Sequence, residues 1–291
     1  MSSKDMFAEE ETVFSFEFFP PRTETASAAL FETIRRLSPL KPAYVTITYG
    51  AGGSTRELTR ELVLRITRET DLTVIPHQTC IGATEREVSV NIDRYREAGI
   101  DAVMALRGDI PETPETPGRG SFTYAADLVA FIKKRYPDML IGVAGFPEGH
   151  PETPNRLIEM DNLKRKVDAG ADYICTQMFF DNRDFLDFRE RCEIAGIDIP
   201  VIAGIMPVTS RKTMIRMSEL ASGVRYPAKL MKALARADGV EQFAGIGIHW
   251  AAEQVLDLLD KKVRGIHFYT LNSSAATLSI YQSLGLEKHH G

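Results

Sequence analysis

Phe14-Ser15-Phe16-Glu17-Phe18-Phe19-Pro20-Pro21-Arg22 is a short aromatic run with one carboxylate in its middle and two prolines near its end. Aromatic density predicts a strand, and Pro20-Pro21 stop it, because proline has no N–H for a sheet ladder and restricts the residue before it. Glu17 has two readings. On an alternating strand it faces water, the ordinary fate of a charged side chain. Inside a core it is costly unless it is paired, or unless its proton has a use. The polar groups elsewhere in the chain decide between them.

Outward from that run, helix and strand patterns alternate. Apolar spacing predicts a helix over 26–37, and the β-branched and aromatic Tyr44–Tyr49 a second strand, ended by Gly50-Ala51-Gly52-Gly53. A helix over 55–69 follows, with Ser54 as cap and Glu57 at the capping-box position. A third strand runs from Leu72 to Ile75 and stops at Pro76-His77; Thr84 and Glu87 form the capping box of the next helix, which ends at Gly99. Strands are then predicted over 102–106, 140–146, 171–177, 200–205 and 265–269. Helices are predicted over 124–135, 158–169, 181–195 and 275–284. The stretch from Thr209 to Leu259 is too long for one helix and is read as three, broken near Gly223 and Gly239.

Near-continuous apolar strands separated by helices mean a parallel sheet covered by helices. Eight such units in 291 residues predict an α/β chain in a single-domain (β/α)8 TIM barrel over 13–286, with a flexible segment at 1–12 and a short tail at 287–291. An open doubly wound sheet is the alternative. A hydrophobic share of 44% and a net charge of −5, without a basic block, argue against nucleic acid or an anionic membrane as main partner. Three scattered cysteines make neither a disulfide framework nor a zinc site, which favours a reducing cytoplasm. The N-terminus lacks the apolar core of a signal peptide, and no apolar segment is long enough to span a bilayer.

In such barrels the site sits at the carboxyl ends of the strands. Glu17, Thr48, His77, Arg107, Asp109, Glu148, His150, Thr176 and Gln177 all fall there, and the last strand runs into Tyr269-Thr270-Leu271-Asn272. Each has a dull explanation alone; the convergence is the signal. No tight His spacing supports a metal, and none is expected. Glu17 and Asp109 would suit a hydrolase acid/base pair, although a single tryptophan leaves few aromatic platforms for sugars. Gly245-Ile246-Gly247 lacks the third glycine and the preceding strand of a dinucleotide fingerprint. The basic helix carrying Asn162, Lys164, Arg165 and Lys166 is either a solvated face or a diphosphate holder.

Seven blocks then add a resemblance. They are Phe16–Arg22, Thr46–Ala51, Pro76–Cys80, Ala105–Asp109, Asn162–Ala171, Thr176–Asp181 and His267–Asn272. Together, in order and over nearly the whole chain, they resemble methylenetetrahydrofolate reductase in its short bacterial form, which lacks a regulatory domain. The resemblance implies a TIM-barrel flavoprotein with non-covalent FAD. It would reduce 5,10-methylenetetrahydrofolate to 5-methyltetrahydrofolate with NADH or NADPH in ping-pong fashion, feeding methionine synthesis. It makes Glu17 the general acid, whose pKa an aromatic and poorly hydrated surround would raise. Asp109 becomes the carboxylate near flavin and pterin.

The same resemblance implies cofactor contacts from Thr48, His77, Leu106, Arg107, Gly108, Asp109, Tyr124, Ala144, Phe146, His150, Glu159, Asn162, Arg165 and Lys166. Substrate contacts are implied for Glu17, Thr48, Asp109, Gln177, Thr213, Met217 and Leu271. The chain departs from the family where Thr213 and Met217 replace a glutamine and an aromatic, Phe146 a tyrosine and Ser273 an arginine. These changes bear on nicotinamide affinity and the choice between NADH and NADPH. The resemblance also implies self-association into a homo-oligomer. A non-catalytic flavin- or folate-binding barrel is the remaining alternative.

Overall fold

The computed structural model describes residues 6–7, 11–49, 56–108, 120–221 and 223–286. Within them the opening run forms β1 (Val13–Phe18), and its alternation sorts the side chains. Phe16 and Phe18 are fully buried outward against the helices. Ser15 and Glu17 turn to the barrel interior, where they meet histidines from other strands. The face that would meet water in a one-layer sheet is here the inside of a closed barrel.

The remaining strands are β2 (Tyr44–Ile47), β3 (Val74–Thr79), β4 (Ala102–Leu106), β5 (Leu140–Gly145), β6 (Tyr173–Thr176), β7 (Val201–Ile205) and β8 (Gly265–Tyr269). Among the described residues these eight strands pair in parallel, in sequence order, and β8 closes on β1. The predicted (β/α)8 barrel is what forms, and the open sheet is excluded. Between the strands run α1 (Glu24–Leu37), α2 (Arg56–Glu69), α3 (Glu85–Glu97), α4 (Ala125–Arg135), α5 (Arg156–Asp168) and α6 (Asn182–Ile194). After β7 come α7 (Arg211–Leu220), α8 (Ala228–Leu234) and α9 (Val240–Asp260), and α10 (Ala275–Ser283) follows β8. The Thr84–Glu87 capping box is present, and Gly223 and Gly239, both at φ 96°, break the long stretch where predicted. The proposed Ser54 cap lies outside the described residues.

One boundary is wrong in a way that matters. β3 does not stop at Pro76-His77 but continues to Thr79. Pro76 removes a single donor from the ladder, while His77, Gln78 and Thr79 pair with Met104, Ala105 and Leu106 and carry the strand on. His77 is therefore in mid-strand and buried, not on an exit loop.

Two further clusters position the site. The barrel interior is filled from below by Tyr44, Ile75, Met104, Leu140, Tyr173, Cys175 and Ile202. Of the N-terminal segment expected to be flexible, Met6 and Phe7 are docked at this floor, with Phe7 against Tyr173 at 5.1 Å between ring centroids. At the other end a satellite cluster under α7, α8 and α9 joins Met178, Phe180, Met206, Val208, Leu230 and Phe243. Tyr269 and Leu271 pack against it, so the excursion after β7 is seated over the β8 exit.

Candidate active site

Glu17 is the centre of a polar group in an otherwise apolar interior. The register sets it beside Thr46 on β2 and Tyr269 on β8. Its Oε2 lies 3.6 Å from His77 Nε2 and 3.8 Å from His267 Nε2. Ser15 Oγ and His267 Nδ1 are hydrogen-bonded at 2.8 Å, and Tyr44 stacks on the His267 ring with an interplanar angle of 14°. Thr270 Oγ1 donates to the Glu17 carbonyl at 2.6 Å, which fixes the backbone where β1 ends. Beyond it, the Asn272 amide donates to Phe19 O at 2.9 Å and accepts from Phe19 N at 3.0 Å, from a left-handed backbone that Asn tolerates. Burial holds the His77 imidazole below its usual pKa, against the pull of Glu17.

His267 is a site residue that sequence reasoning missed. The signal was present: one histidine in the apolar run Gly265-Ile266-His267-Phe268-Tyr269, two places before Tyr269 and so on the same face. Tyr269 also belongs here, with its ring 5.2 Å from that of His267 and its hydroxyl donating to Thr176 O at 2.7 Å. Thr176 is structural: it is fully buried, and its Oγ1 accepts from Gly204 N.

A second group lies at the ends of β4 and β5. Gly108, at φ 84°, takes a backbone conformation suited to glycine, and a Cβ there would come within 3.1 Å of Thr79. Arg107 Nη1 pairs with Glu152 Oε2 at 2.7 Å, so the β4 exit is tied to the loop after β5. The His150 ring meets Phe146 edge-on at 4.7 Å, and its Nδ1 accepts from Glu152 N, which leaves Nε2 to carry the proton of the neutral ring. Burial lowers its pKa. Glu159 is buried and accepts from His150 N at 3.3 Å. Lys166 reaches back to donate to Ala144 O at 2.6 Å, and burial pulls its ammonium down to about 8, with Glu159 opposing the shift.

The basic helix therefore divides. Lys164 pairs with Asp168 on the solvent side, Asn162 and Arg165 are exposed, and Lys166 is turned into the β5 exit. Leu106, Ala144 and Phe146 are half-buried beside these groups. Tyr124 is 59% exposed at the start of α4, and among the described residues no contact brings its ring to this cluster. Thr48 is half-buried at the β2 exit, where its N–H donates to Phe18 O and its carbonyl accepts from Thr59.

Of the expected substrate contacts, Gln177 is half-buried with its side-chain carbonyl capping Met178 N at 2.9 Å. Met217 packs on the satellite cluster, and Leu271 sits at φ 50° beside it. The Thr213 hydroxyl accepts from Ser210 within the cap of α7. Asp109 lies outside the described residues. Among the described residues no helix is long and apolar enough to cross a membrane.

The chain as a whole is similar to known proteins. A family model described as methylenetetrahydrofolate reductase matches residues 3–285. The chain is 41% identical over 277 residues to 5,10-methylenetetrahydrofolate reductase of Escherichia coli (strain K12), covering 94% of this chain and 90% of that protein. It is 38% identical over 296 residues to methylenetetrahydrofolate reductase (NADH) 1 of Arabidopsis thaliana, covering 97% of this chain and 50% of that longer protein. Among solved structures, an uncharacterized protein from Clostridium thermocellum that binds two copies of 5-methyl-5,6,7,8-tetrahydrofolic acid superposes with a TM-score of 0.64. It covers 99% of this chain and 98% of its own at 17% identity, a likeness of fold. A family match over residues 3–285 and 41% identity along nearly the whole chain make this chain a member of the methylenetetrahydrofolate reductase family.

Proposed function

We propose that this protein is an FAD-dependent reductase of 5,10-methylenetetrahydrofolate, drawing electrons from NADH or NADPH and yielding 5-methyltetrahydrofolate for methionine synthesis. The observation that carries the reading is Glu17 held inside the barrel between His77 and His267, in a chain of this family. Family membership leaves the barrel hydrolase without support.

The residues at the β4 and β5 ends fit the cofactor. Arg107, Lys166 and the exposed Arg165 offer cationic donors suited to a diphosphate, with the Asn162 amide beside them on α5. Leu106, Ala144 and Phe146 offer an apolar surface for a flat ring. Arg107 and Lys166 would exchange their present partners, Glu152 and the Ala144 carbonyl, for phosphate oxygens. When bound, FAD supplies the two-electron chemistry, taking hydride from the nicotinamide and passing it to the folate.

The chain's own part is the proton. Opening the imidazolidine ring breaks the bond from the bridging carbon to N10, whose electron pair must be protonated, and leaves an iminium at N5 that accepts hydride. Glu17 is the acid that gives N10 its proton. Glu17 stands inside the barrel between two histidines, with its backbone fixed by Thr270. Asp109 is assigned the carboxylate beside flavin and pterin on the resemblance. Gln177, Thr48, Leu271, Met217 and Thr213 are assigned folate and nicotinamide contacts on the same ground, and homo-oligomerisation is carried over with them.

The test is a visible absorption spectrum of the purified protein, then anaerobic titration with NADH and with NADPH, then addition of methylenetetrahydrofolate. A flavin spectrum that bleaches and returns is expected. A colourless protein that FAD does not reconstitute would overturn the reading, and a reduced flavin that the folate fails to reoxidise would leave only a binding barrel.

Replacing both Arg165 and Lys166 with alanine is expected to weaken FAD retention on dilution by about ten- to a hundredfold, because two charge-assisted contacts to a diphosphate are lost together. Flavin fluorescence after gel filtration reads the effect, and unchanged retention would return this helix to a solvated face. The lowered pKa of Lys166 adds a pH signature. Its ammonium is charged below about 8 and neutral above, so FAD dissociation should steepen as pH rises through that value, and Lys166→Arg should flatten the profile.

A further inference from the structure

The excursion between β7 and β8 carries Thr213 and Met217, and its underside is seated on the satellite apolar cluster. A polar device also ties it to the barrel. Arg225, in the connector between α7 and α8, donates its backbone N–H to both carboxylate oxygens of Glu148, at 3.0 and 3.2 Å. Its Nε donates to Glu148 Oε1 at 2.8 Å and its Nη2 to Asp184 Oδ1 at 2.6 Å. Glu148 is on the β5 exit loop and Asp184 on α6, so one side chain and its own backbone amide join three elements. The next residue continues the join: the Tyr226 ring stacks on Phe180 at 4.5 Å, and its hydroxyl donates to Met214 O inside α7.

An exposed arginine in a surface pair ordinarily contributes little. Here the Glu148 side chain is only 5% exposed, while that of Arg225 is 60% exposed. The exposed partner neutralises a buried carboxylate that would otherwise be poorly satisfied, so removing it disturbs the Glu148 side. Beneath the join is a cleft lined by Phe146, Pro147, Glu148, Gln177, Gly223 and Val224. Two of these, Phe146 and Gln177, are assigned to cofactor and substrate above. The join therefore spans the gap between the β5 exit and the α7–α8 unit on the side where Gln177 stands.

We propose that Arg225 is a positioning residue: through Glu148 and Asp184 it fixes the α7–α8 unit against the β5 exit loop and so sets the width of the mouth that admits folate and nicotinamide. It touches no reacting atom. The kinetic half of this proposal rests on the reductase reading, and the structural half does not.

The experiment uses FAD-loaded wild type, Arg225→Ala, Arg225→Lys and Asp184→Asn, with two readouts. Hydrogen exchange of the α7 amides is expected to quicken in Arg225→Ala while the strand amides stay protected. KM for methylenetetrahydrofolate and for the nicotinamide is expected to rise about tenfold with a smaller change in kcat and unchanged flavin content, the pattern of a misplaced mouth rather than lost chemistry. Arg225→Lys should recover part of both effects. Asp184→Asn keeps the Glu148 pair and should show the same pattern at about two- to threefold, which keeps the test open if Arg225→Ala does not fold. Unchanged α7 exchange and unchanged KM in either variant, or quickened exchange spread evenly over the barrel in Asp184→Asn, would overturn the proposal. A wild type that fails to reduce the folate at all would sink the reductase reading, with the exchange experiment still judging the join.

Discussion

Glu17→Gln is expected to keep reduction of the bound flavin by nicotinamide within about threefold of wild type and to slow its reoxidation by methylenetetrahydrofolate by about 10²- to 10⁴-fold, the range that a positioned general acid contributes. Glutamine has nearly the shape of glutamate, and the Thr270 bond to the carbonyl at position 17 does not involve the side chain, so the β1 backbone should hold. What the amide lacks is a proton it can transfer to N10. The neighbours do not readily replace it. His77 is only 3.6 Å from the carboxylate, yet burial pulls its pKa below the usual value, and it is neutral around pH 7. A neutral imidazole is a poor proton donor to an amine leaving group. Nicotinamide oxidation needs no proton from position 17, so the two half-reactions should separate. Stopped-flow traces of each, recorded anaerobically on the same preparation, check this. Equal impairment of both, or of neither, removes Glu17 from the acid's role.

The barrel was legible because each strand carries its own punctuation. Proline after β1, glycine after α3, α5 and α6, and the Thr84–Glu87 box all act through local backbone chemistry that needs no knowledge of the fold. Where a local rule was trusted too far, the tertiary ladder overrode it. Pro76 reads as a stop, but the pairing of residues 77–79 with β4 outweighs one missing donor, and the result is a histidine inside the barrel instead of at its lip.

The site was legible in part. Position along the chain gives which side chains reach the strand ends, and alternation gives which face they take. Neither gives register, and it is register that sets Ser15 opposite His267 and Glu17 opposite Tyr269. His267 escaped notice because a lone histidine in a strand of five is ordinarily a satisfied core residue. Only the closure of β8 on β1 brings it to Glu17. The basic helix shows the converse limit. Its charges were visible, but which of them turns inward depends on the approach of α5 to β5, and the one that does, Lys166, donates to the Ala144 carbonyl.

Gly247→Ala and Gly245→Ala, two places apart on α9, are expected to shift stability in opposite directions. Helix propensity alone favours alanine at both by about 1 kcal/mol. Nothing stands within 4 Å of a Cβ at Gly245, so there the propensity gain should survive. At Gly247 a Cβ would lie 1.8 Å from Val208 O and 2.7 Å from Val208 C, atoms of backbone that cannot rotate away. Either α9 or the segment between β7 and α7 must move, and overpacking of this kind typically costs about 1–3 kcal/mol and occasionally more, which outweighs the propensity term. For a protein of 291 residues a loss of about 2 kcal/mol corresponds to roughly 3 °C in Tm. Thermal unfolding of the two variants beside wild type is therefore expected to give a fall for Gly247→Ala and an unchanged or slightly raised Tm for Gly245→Ala. A matched pair of rises would mean that α9 is not held against the β7 exit as described. The result also bears on function, because Val208 leads directly into α7: a displaced segment would carry Thr213 and Met217 with it, so the glycine that resembles half of a nucleotide fingerprint is needed here for the closeness of two backbones.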